Sequence, residues 1–163
     1  MASTGSVRKA KETIRKILYI TIATSSSSRP WNSPVYSAFD KNFNFYWASW
    51  KDNQHSKNIR KNANAFVVIY DSRAAEGTGF GVYMSGRAYQ LEREDNEDIG
   101  IGAKLLAVRK GGKPRRIDEY LNSYPRRMYK FVPKRVWVNS DGKVNGNYVD
   151  TRTDITKGLL GRK

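Results

Sequence analysis

The pattern of hydrophobic and polar positions opens with helical periodicity and then changes to that of strands. Apolar residues recur three or four positions apart between Ser6 and Ile20, with Lys and Arg between them, which predicts an amphipathic helix. The β-branched and aromatic run from Leu18 to Thr24 predicts a strand, and the serines that follow predict a turn. The first helix is therefore expected to lead directly into a sheet.

A hairpin and a short helix are predicted next. Residues 31–39 and 43–50 are aromatic and β-branched stretches separated by a polar turn, and we expect them to pair as a hairpin. The segment 51–64 is too hydrophilic for a strand and has the composition of about two helical turns.

Two further strands follow this helix. The continuous apolar run at 65–71 predicts a strand buried on both faces. Residues 82–91 alternate well enough to predict a fifth strand, with a bulge at Gly86. Five strands in this order indicate a small barrel or a curved sheet.

The pattern in the C-terminal half is less regular. Acidic residues followed by apolar residues at helical spacing predict a helix over 95–108. A short helix at 117–121 and one or two closing strands within 127–139 are expected after it. Residues 151–163 show little apolar pattern, so they are predicted to form a basic C-terminal tail that becomes ordered only against a partner.

Length and composition limit the class of protein. The chain has 163 residues, of which 39% are hydrophobic, so residues 1–150 are expected to form a single domain around one core. With no cysteine and one histidine, disulfides, thiolate catalysis and zinc sites that need several such ligands are excluded, and no metal site is predicted. No apolar run is long enough to span a bilayer, so a cytoplasmic protein that does not enter the membrane is expected.

The net charge of +15 is unevenly distributed. The excess of Lys and Arg lies at 1–16, 104–135 and 152–163, whereas the most strand-like stretch, 17–92, is nearly balanced. Such a charge suits anionic partners, either nucleic acid or phosphorylated ligands, but a solvated surface explains it as well.

The segment Gln54-His55-Ser56-Lys57-Asn58 has the composition of a phosphate site. It follows a strand and opens a predicted helix, so backbone N–H groups, hydroxyl and imidazole donors and one ammonium group are concentrated there. A polar helix cap with a solvated lysine is the alternative interpretation. Just before it, aromatic residues at 45–50 are explained either by core packing or by contact with a planar heterocycle.

Other chemistries lack their motifs. The carboxylates at 92–98 are better explained by helix capping than by paired-carboxylate hydrolysis. The chain has no Gly-x-Ser-x-Gly nucleophile elbow, and its glycine-rich stretches at 77–81 and 110–113 fit neither Walker nor Rossmann spacing. No catalytic side chain is therefore predicted.

Several motifs follow one another within residues 14–92. They are Ile20-Thr21-Ile22-Ala23-Thr24, Arg29-Pro30-Trp31-Asn32-Ser33-Pro34-Val35, Phe45-Tyr46-Trp47-Ala48-Ser49, Ser56-Lys57-Asn58, Ala65-Phe66-Val67-Val68-Ile69-Tyr70-Asp71 and Val82-Tyr83-Met84-Ser85-Gly86-Arg87-Ala88. In this order and spacing they resemble the pyridoxamine 5′-phosphate oxidase-like family of FMN-binding split β-barrels. The resemblance implies a mainly β, α+β fold with flanking helices, a split barrel of six or so antiparallel strands, and a homodimer with FMN at the interface.

The resemblance also implies which residues bind the cofactor. One strand would contact the flavin ring largely through its backbone, a second would continue that wall, and the start of the following helix would hold the phosphate. The implied cofactor-binding residues are Asn32, Ser33, Pro34, Val35, Tyr46, Trp47, Ala48, Ser49, His55, Ser56 and Lys57. The family usually has arginine near Asn32 and at Ser56, so here Lys57, with Arg29, His55 or Arg60, would supply the positive charge.

The implied activity is FMN-dependent oxidoreduction, with hydride transfer at flavin N5 to or from an unidentified small substrate, for which the basic segment 104–135 suggests an anion. FMN is expected rather than the deazaflavin F420 or haem, which related barrels bind. Two other functions stay open. One is a flavin-binding protein without turnover, and the other is a basic nucleic-acid-binding barrel with Trp31, Tyr46, Trp47, Trp50 and Tyr83 as stacking residues.

Overall fold

The structure is a computed structural model that describes residues 4–161. Its elements in chain order are α1 (Thr4–Lys16), β1 (Tyr19–Ser26), β2 (Arg29–Tyr36), β3 (Ala38–Phe39), β4 (Phe45–Trp50), α2 (Gln54–Lys61), β5 (Asn64–Tyr70), β6 (Gly81–Gln90), α3 (Asn96–Lys110), β7 (Arg126–Val144), β8 (Asn147–Asp154) and α4 (Thr156–Leu160). Short 3₁₀ turns at Arg93–Asp95 and Ile117–Tyr120 flank α3. No helix within residues 4–161 has the length and apolar character needed to cross a membrane.

The strands form one 8-stranded antiparallel sheet in the order β2-β1-β5-β6-β7-β4-β3, with β8 also paired to β7. Strand β7 pairs with β6 along one edge. Along its other edge, the first half of β7 pairs with β4 and the second half pairs with β8. The sheet curls around an apolar core and carries the helices on its flanks. The expected α+β split barrel is confirmed, with eight strands rather than six or so.

Strand β4 lies between two apolar clusters. Phe45 and Trp47 belong to the main core inside the sheet, whereas Tyr46 belongs to a second cluster under α3 that also contains Met128. Because side chains alternate along a strand, β4 is buried on both faces. This strand leads directly into α2 and therefore fixes where that helix starts.

The bulge predicted at Gly86 is present. The pairing of β6 with β7 shifts register between Ser85 and Gly86. A Cβ at position 86 would lie 2.7 Å from Phe131 Cζ and closer still to the carbonyl oxygen of Val132. Glycine is therefore required here by the close approach of two strands.

The segment predicted as one strand over 31–39 is divided between two partners. Strand β2 pairs with β1 across a turn at Ser27 and Ser28, which both have positive φ, and only the short β3 pairs with β4. The amide of Ser37 donates to the carbonyl of Leu18 (3.1 Å), where the chain passes from one pairing to the other. The hairpin prediction is therefore right for β3 and β4 and wrong for most of the segment.

Strand β5 is buried on one face only, which corrects the prediction that both faces are buried. Val67 and Ile69 face the core, whereas Phe66 and Val68 are only half-buried on the outer face of the sheet. The strand was predicted to be buried on both faces because its outward side chains are apolar as well.

The C-terminal segment is part of the fold as far as residue 161, which contradicts the expectation of a tail ordered only by a partner. Residues 151–154 complete β8, and Ile155 and Leu159 are buried in the main core. An edge strand is held by backbone hydrogen bonds to its neighbour, so it does not need a strong apolar pattern. Residues 162–163 lie outside the described residues.

Candidate functional site

The one histidine of the chain lies where β2, β4 and α2 meet. His55 Nδ1 is 3.2 Å from Ser33 Oγ on β2, and His55 Nε2 is 3.0 Å from Ser49 Oγ on β4. Trp31 Nε1 donates to Ser33 Oγ (3.0 Å), and Asn53 Nδ2 donates to Ser49 Oγ (2.9 Å). We refer to the three residues joined by the imidazole as the Ser33–His55–Ser49 cluster.

Burial disfavours the charged form of the imidazole in this cluster. His55 is 6% exposed, and this burial lowers its pKa from the ordinary value. One edge of the ring contacts Tyr129, with 6.3 Å between the ring centroids. His55 therefore offers one N–H and one bare nitrogen to the two serines.

Helix α2 is attached to the sheet by polar contacts. Ser56 Oγ donates to the carbonyl of Trp50 (2.8 Å). Asn58, which is 2% exposed, donates to Thr24 Oγ1 (3.1 Å) and accepts from Ser26 Oγ (2.9 Å). Asn58 was not predicted as a site residue on its own, although its helical spacing of three from His55 places both on the inner face of α2.

The N-terminus of α2 lacks the usual side-chain cap. Asn53 occupies the N-cap position without capping the helix, because its side chain donates to Ser49 instead. The amides of the first turn have no acceptor within the helix, and the helix dipole makes this end positive. Lys57 is exposed one turn further on. These groups together suit an anion.

A cleft of about 500 Å³ lies beside this end of α2. It is lined by Ser26, Ser27, Arg29, Pro30, Trp31, Gln54 and Asn58. Trp31 is 49% exposed there and provides an aromatic surface next to the cation of Arg29. The cleft thus combines hydrogen-bonding groups, a positive charge and a ring, the mixture that is typical of small-molecule sites.

The cofactor-binding residues that the resemblance implied differ in their exposure. On β2, Asn32 and Pro34 are exposed, Ser33 is half-buried and Val35 is buried in the core; on β4, Tyr46 and Trp47 are buried, and Ala48 and Ser49 are half-buried. On α2, His55 and Ser56 are buried and Lys57 is exposed. Of these residues, Ser33 and Ser49 both contact the His55 ring through their side chains.

Two aromatic side chains of β4, those of Tyr46 and Trp47, have partners inside the protein. Trp47 stacks on Tyr129, with 5.4 Å between the ring centroids. The Tyr46 hydroxyl is 3.1 Å from Asp98 Oδ1 and 3.3 Å from Asp40 Oδ2, and burial and these two carboxylates raise the pKa of Tyr46. Tyr46 therefore faces α3, away from Ser49, which lies on the other face of the strand.

Several of the basic side chains considered for anion binding already have partners within the protein. Arg60 Nη1 donates to the carbonyl of Lys51 (2.6 Å) and to Gln90 Oε1 (3.0 Å). In the basic segment 104–135, Arg115 pairs with Glu119 at 2.8 Å and Arg116 with Asp118 at 2.5 Å. Arg29, by contrast, lines the cleft beside α2 together with Gln54 and Asn58.

Comparison with known proteins identifies a family. The family model described as pyridoxamine 5′-phosphate oxidase matches residues 7–139. No curated protein matches the chain.

Solved structures with the same fold are distant in sequence. A protein of unknown function from Agrobacterium tumefaciens aligns with a TM-score of 0.67 at 16% identity, over 91% of this chain and 62% of its own. A FAD-binding protein from Mesorhizobium loti aligns with a TM-score of 0.60 at 15% identity, over 80% and 91%. A heme binding protein from Mycobacterium smegmatis aligns with a TM-score of 0.63 at 17% identity, over 99% and 61%. This chain therefore spans about three fifths of the first and third proteins, and at these identities the likeness concerns the fold alone.

Proposed function

Because this chain belongs to the pyridoxamine 5′-phosphate oxidase family, we propose that it binds FMN and acts as an FMN-dependent oxidoreductase on a small substrate. The observation that carries the proposal is the uncapped start of α2, a helix that holds His55 of the Ser33–His55–Ser49 cluster and exposed Lys57. Gln54 and Asn58 of the same helix line the cleft of Arg29 and Trp31. A FAD-binding protein among the structures of the same fold supports a flavin.

The donors present fit a flavin mononucleotide. A phosphate group requires cations and N–H donors, which Lys57, Arg29 and the first-turn amides of α2 would supply. The Ser49 hydroxyl, linked to the N-cap residue Asn53, would be a further donor to the phosphate. The polar edge of the ring would be bound by the backbone of 32–35, while Tyr46 and Trp47 would contribute backbone only. Bound FMN would supply hydride transfer at N5, so no side-chain nucleophile is needed.

The geometry of His55 favours a flavin over haem. Histidine ligation of haem iron needs a ring nitrogen that is accessible and unengaged. Both ring nitrogens of His55 are within hydrogen-bonding distance of serine hydroxyls, and the residue is 6% exposed. Binding of haem iron by His55 would therefore require the cluster to open.

We infer further that the protein is a homodimer with the cofactor at the interface. The outer face of the sheet supports this arrangement, because its register aligns Val68, Tyr83 and Trp137 in one row. Phe66 stacks on Trp137 on the same face, with 6.3 Å between the ring centroids, and Tyr70 nearby is 49% exposed. A second copy would cover this apolar face.

The first experiment is to purify the full chain without added cofactor and record its absorbance and its mass by light scattering. The proposal expects the two absorbance bands of an oxidised flavin, release of FMN on denaturation, and the mass of a dimer. If no flavin is present, FMN, FAD, riboflavin and F420 are titrated in turn. Preference for FMN over riboflavin is expected, because α2 recognises the phosphate.

Lys57→Ala tests the proposed phosphate site, and Lys61→Ala, one turn later on the same helix and also exposed, is the matched control. Loss of one charge-assisted contact at a partly exposed position should weaken FMN binding about tenfold, whereas riboflavin binding should not change. Equal effects of both variants on FMN would contradict the assignment of Lys57.

The remaining outcomes separate the other functions. Bound FMN that no nicotinamide donor can reduce would identify a flavin-binding protein without turnover. A protein that binds no flavin but binds single-stranded nucleic acid with strong salt dependence would be the basic barrel considered above. Burial of Tyr46 and Trp47 already removes two of the five stacking residues proposed for that function.

A further inference from the structure

The Ser33–His55–Ser49 cluster has a fixed number of protons to share. A serine hydroxyl has one proton to donate and two lone pairs to offer. Ser33 Oγ uses one lone pair for Trp31 Nε1, and Ser49 Oγ uses one for Asn53 Nδ2. Each hydroxyl is therefore left with one proton and one lone pair.

The tautomer of His55 decides which of the two serine hydroxyls can donate its proton to a ligand. A neutral imidazole has one N–H and one bare nitrogen. The serine beside the N–H accepts from it and keeps its own proton for an outside acceptor. The serine beside the bare nitrogen donates its proton to the ring and keeps only a lone pair. Since burial keeps the ring neutral, Ser33 and Ser49 cannot both donate outward at once.

We propose that His55 is a positioning residue that directs the Ser49 hydroxyl proton toward an anionic oxygen of the bound cofactor by carrying its own proton on Nε2. In this arrangement Nε2–H donates to Ser49 Oγ, the Ser33 hydroxyl donates to Nδ1, and the Ser49 proton is available to the ligand. The identity of the ligand rests on the proposed function, whereas the coupling of the two hydroxyls does not.

Ser49 is the serine that faces the anion site because of its link to α2. Its partner Asn53 is the N-cap residue of that helix, so Ser49 lies at the positive helix end. The Ser33 hydroxyl is instead tied to Trp31 on its own strand. Ser56 takes no part in the exchange, because its hydroxyl donates to the carbonyl of Trp50.

The coupling can be measured in the ligand-free protein. The chain has a single histidine, so the ring nitrogens in a long-range ¹H–¹⁵N spectrum need no assignment and show directly which of them carries the proton. The full-length, ¹⁵N-labelled protein is used at a pH well above the imidazole pKa. The amide spectrum of each variant confirms that it is folded.

Two serine variants should move the ring proton in opposite directions. Ser33→Ala leaves Nδ1 without a partner, and a buried unpaired N–H is less tolerable than a bare nitrogen, so the proton should lie on Nε2. Ser49→Ala should place it on Nδ1 for the same reason. Ser123→Ala, at an exposed serine, is the control and should match the wild type. Identical ring spectra for both cluster variants would overturn the coupling.

The role of the ligand is tested with FMN and with inorganic phosphate. Either should shift the wild-type ring toward the Nε2–H form, and Ser49→Ala should bind FMN about tenfold more weakly. A shift toward Nδ1–H on FMN binding would overturn the proposed direction.

Failure of the proposed function is distinguishable from failure of the coupling. If neither FMN nor phosphate binds, the proposed function and the ligand role of Ser49 are both rejected. The ligand-free spectra of the two serine variants then decide on their own whether His55 couples the hydroxyls.

Discussion

Tyr46→Phe tests whether β4 contributes side chains or only backbone to the cofactor site. The Tyr46 ring is 1% exposed and remains in the variant, so only the hydroxyl is lost. That hydroxyl lies between Asp98 and Asp40, and because its pKa is raised it keeps its proton at every pH at which the protein would be assayed. It can donate this proton to one carboxylate at a time.

The structure sets the size of the expected effect. A hydrogen bond to a charged group contributes about 1.5–3 kcal/mol. Both carboxylates keep other donors in the variant, Lys130 Nζ at 2.7 Å from Asp98 and Asn44 Nδ2 at 2.8 Å from Asp40. We therefore expect the free energy of unfolding to fall by about 1–2 kcal/mol, equivalent to a decrease in Tm of about 2–6 °C.

Urea unfolding gives the stability of Tyr46→Phe, and FMN titration gives its cofactor affinity. Tyr124→Phe, at a tyrosine that is 44% exposed, is the matched control and should change neither quantity. Tyr46→Phe is expected to have reduced stability and unchanged FMN affinity. This expectation would be refuted by unchanged stability, and a selective loss of FMN affinity would place the Tyr46 hydroxyl in the cofactor site.

Two further predictions concern the buried imidazole and the bulge. In the wild type, the free energy of unfolding should decrease as the pH falls below the ordinary imidazole pKa of about 6.5, because the unfolded chain binds that proton more readily than buried His55 does. The decrease is at most about 1.4 kcal/mol per pH unit and should be absent in His55→Gln, so parallel pH profiles in urea unfolding would contradict it. Gly86→Ala should cost about 3 kcal/mol or prevent folding, because the added Cβ meets Phe131 and the carbonyl of Val132. Gly79→Ala, where a Cβ would meet no atom within 4 Å, should leave the thermal midpoint nearly unchanged, and equal midpoints for the two variants would exclude this explanation.

The pattern of apolar and polar residues was sufficient to predict those helices and strands whose formation depends mainly on their own side chains. Helix α1, strand β6 and its bulge at Gly86 follow from periodicity and from one glycine. Strand β8 does not, because its hydrogen bonds are supplied by β7 and its sequence carries little apolar alternation. The division between β2 and β3 also depends on a distant partner, the carbonyl of Leu18 that accepts from Ser37.

The candidate site was predictable to a similar extent. The sequence indicated His55, Ser56 and Lys57 because they open a helix after a strand. It could not show that the imidazole joins Ser33 to Ser49, since that contact depends on how β2 and β4 are placed in the sheet. It also could not distinguish Tyr46, which faces α3, from Ser49, because the inward and outward faces of a strand are assigned only when its neighbours are known.

Strand β7 joins two parts of the sheet that have no other link in the strand order of the described residues. Strands β2, β1, β5 and β6 lie on one side of it, and β4 and β3 on the other. During synthesis on a ribosome, β4 emerges long before 126–131, the segment with which it pairs. Until then the nascent chain exposes the aromatic residues of β4, so folding of this high contact-order sheet is expected to be slow and to benefit from chaperones.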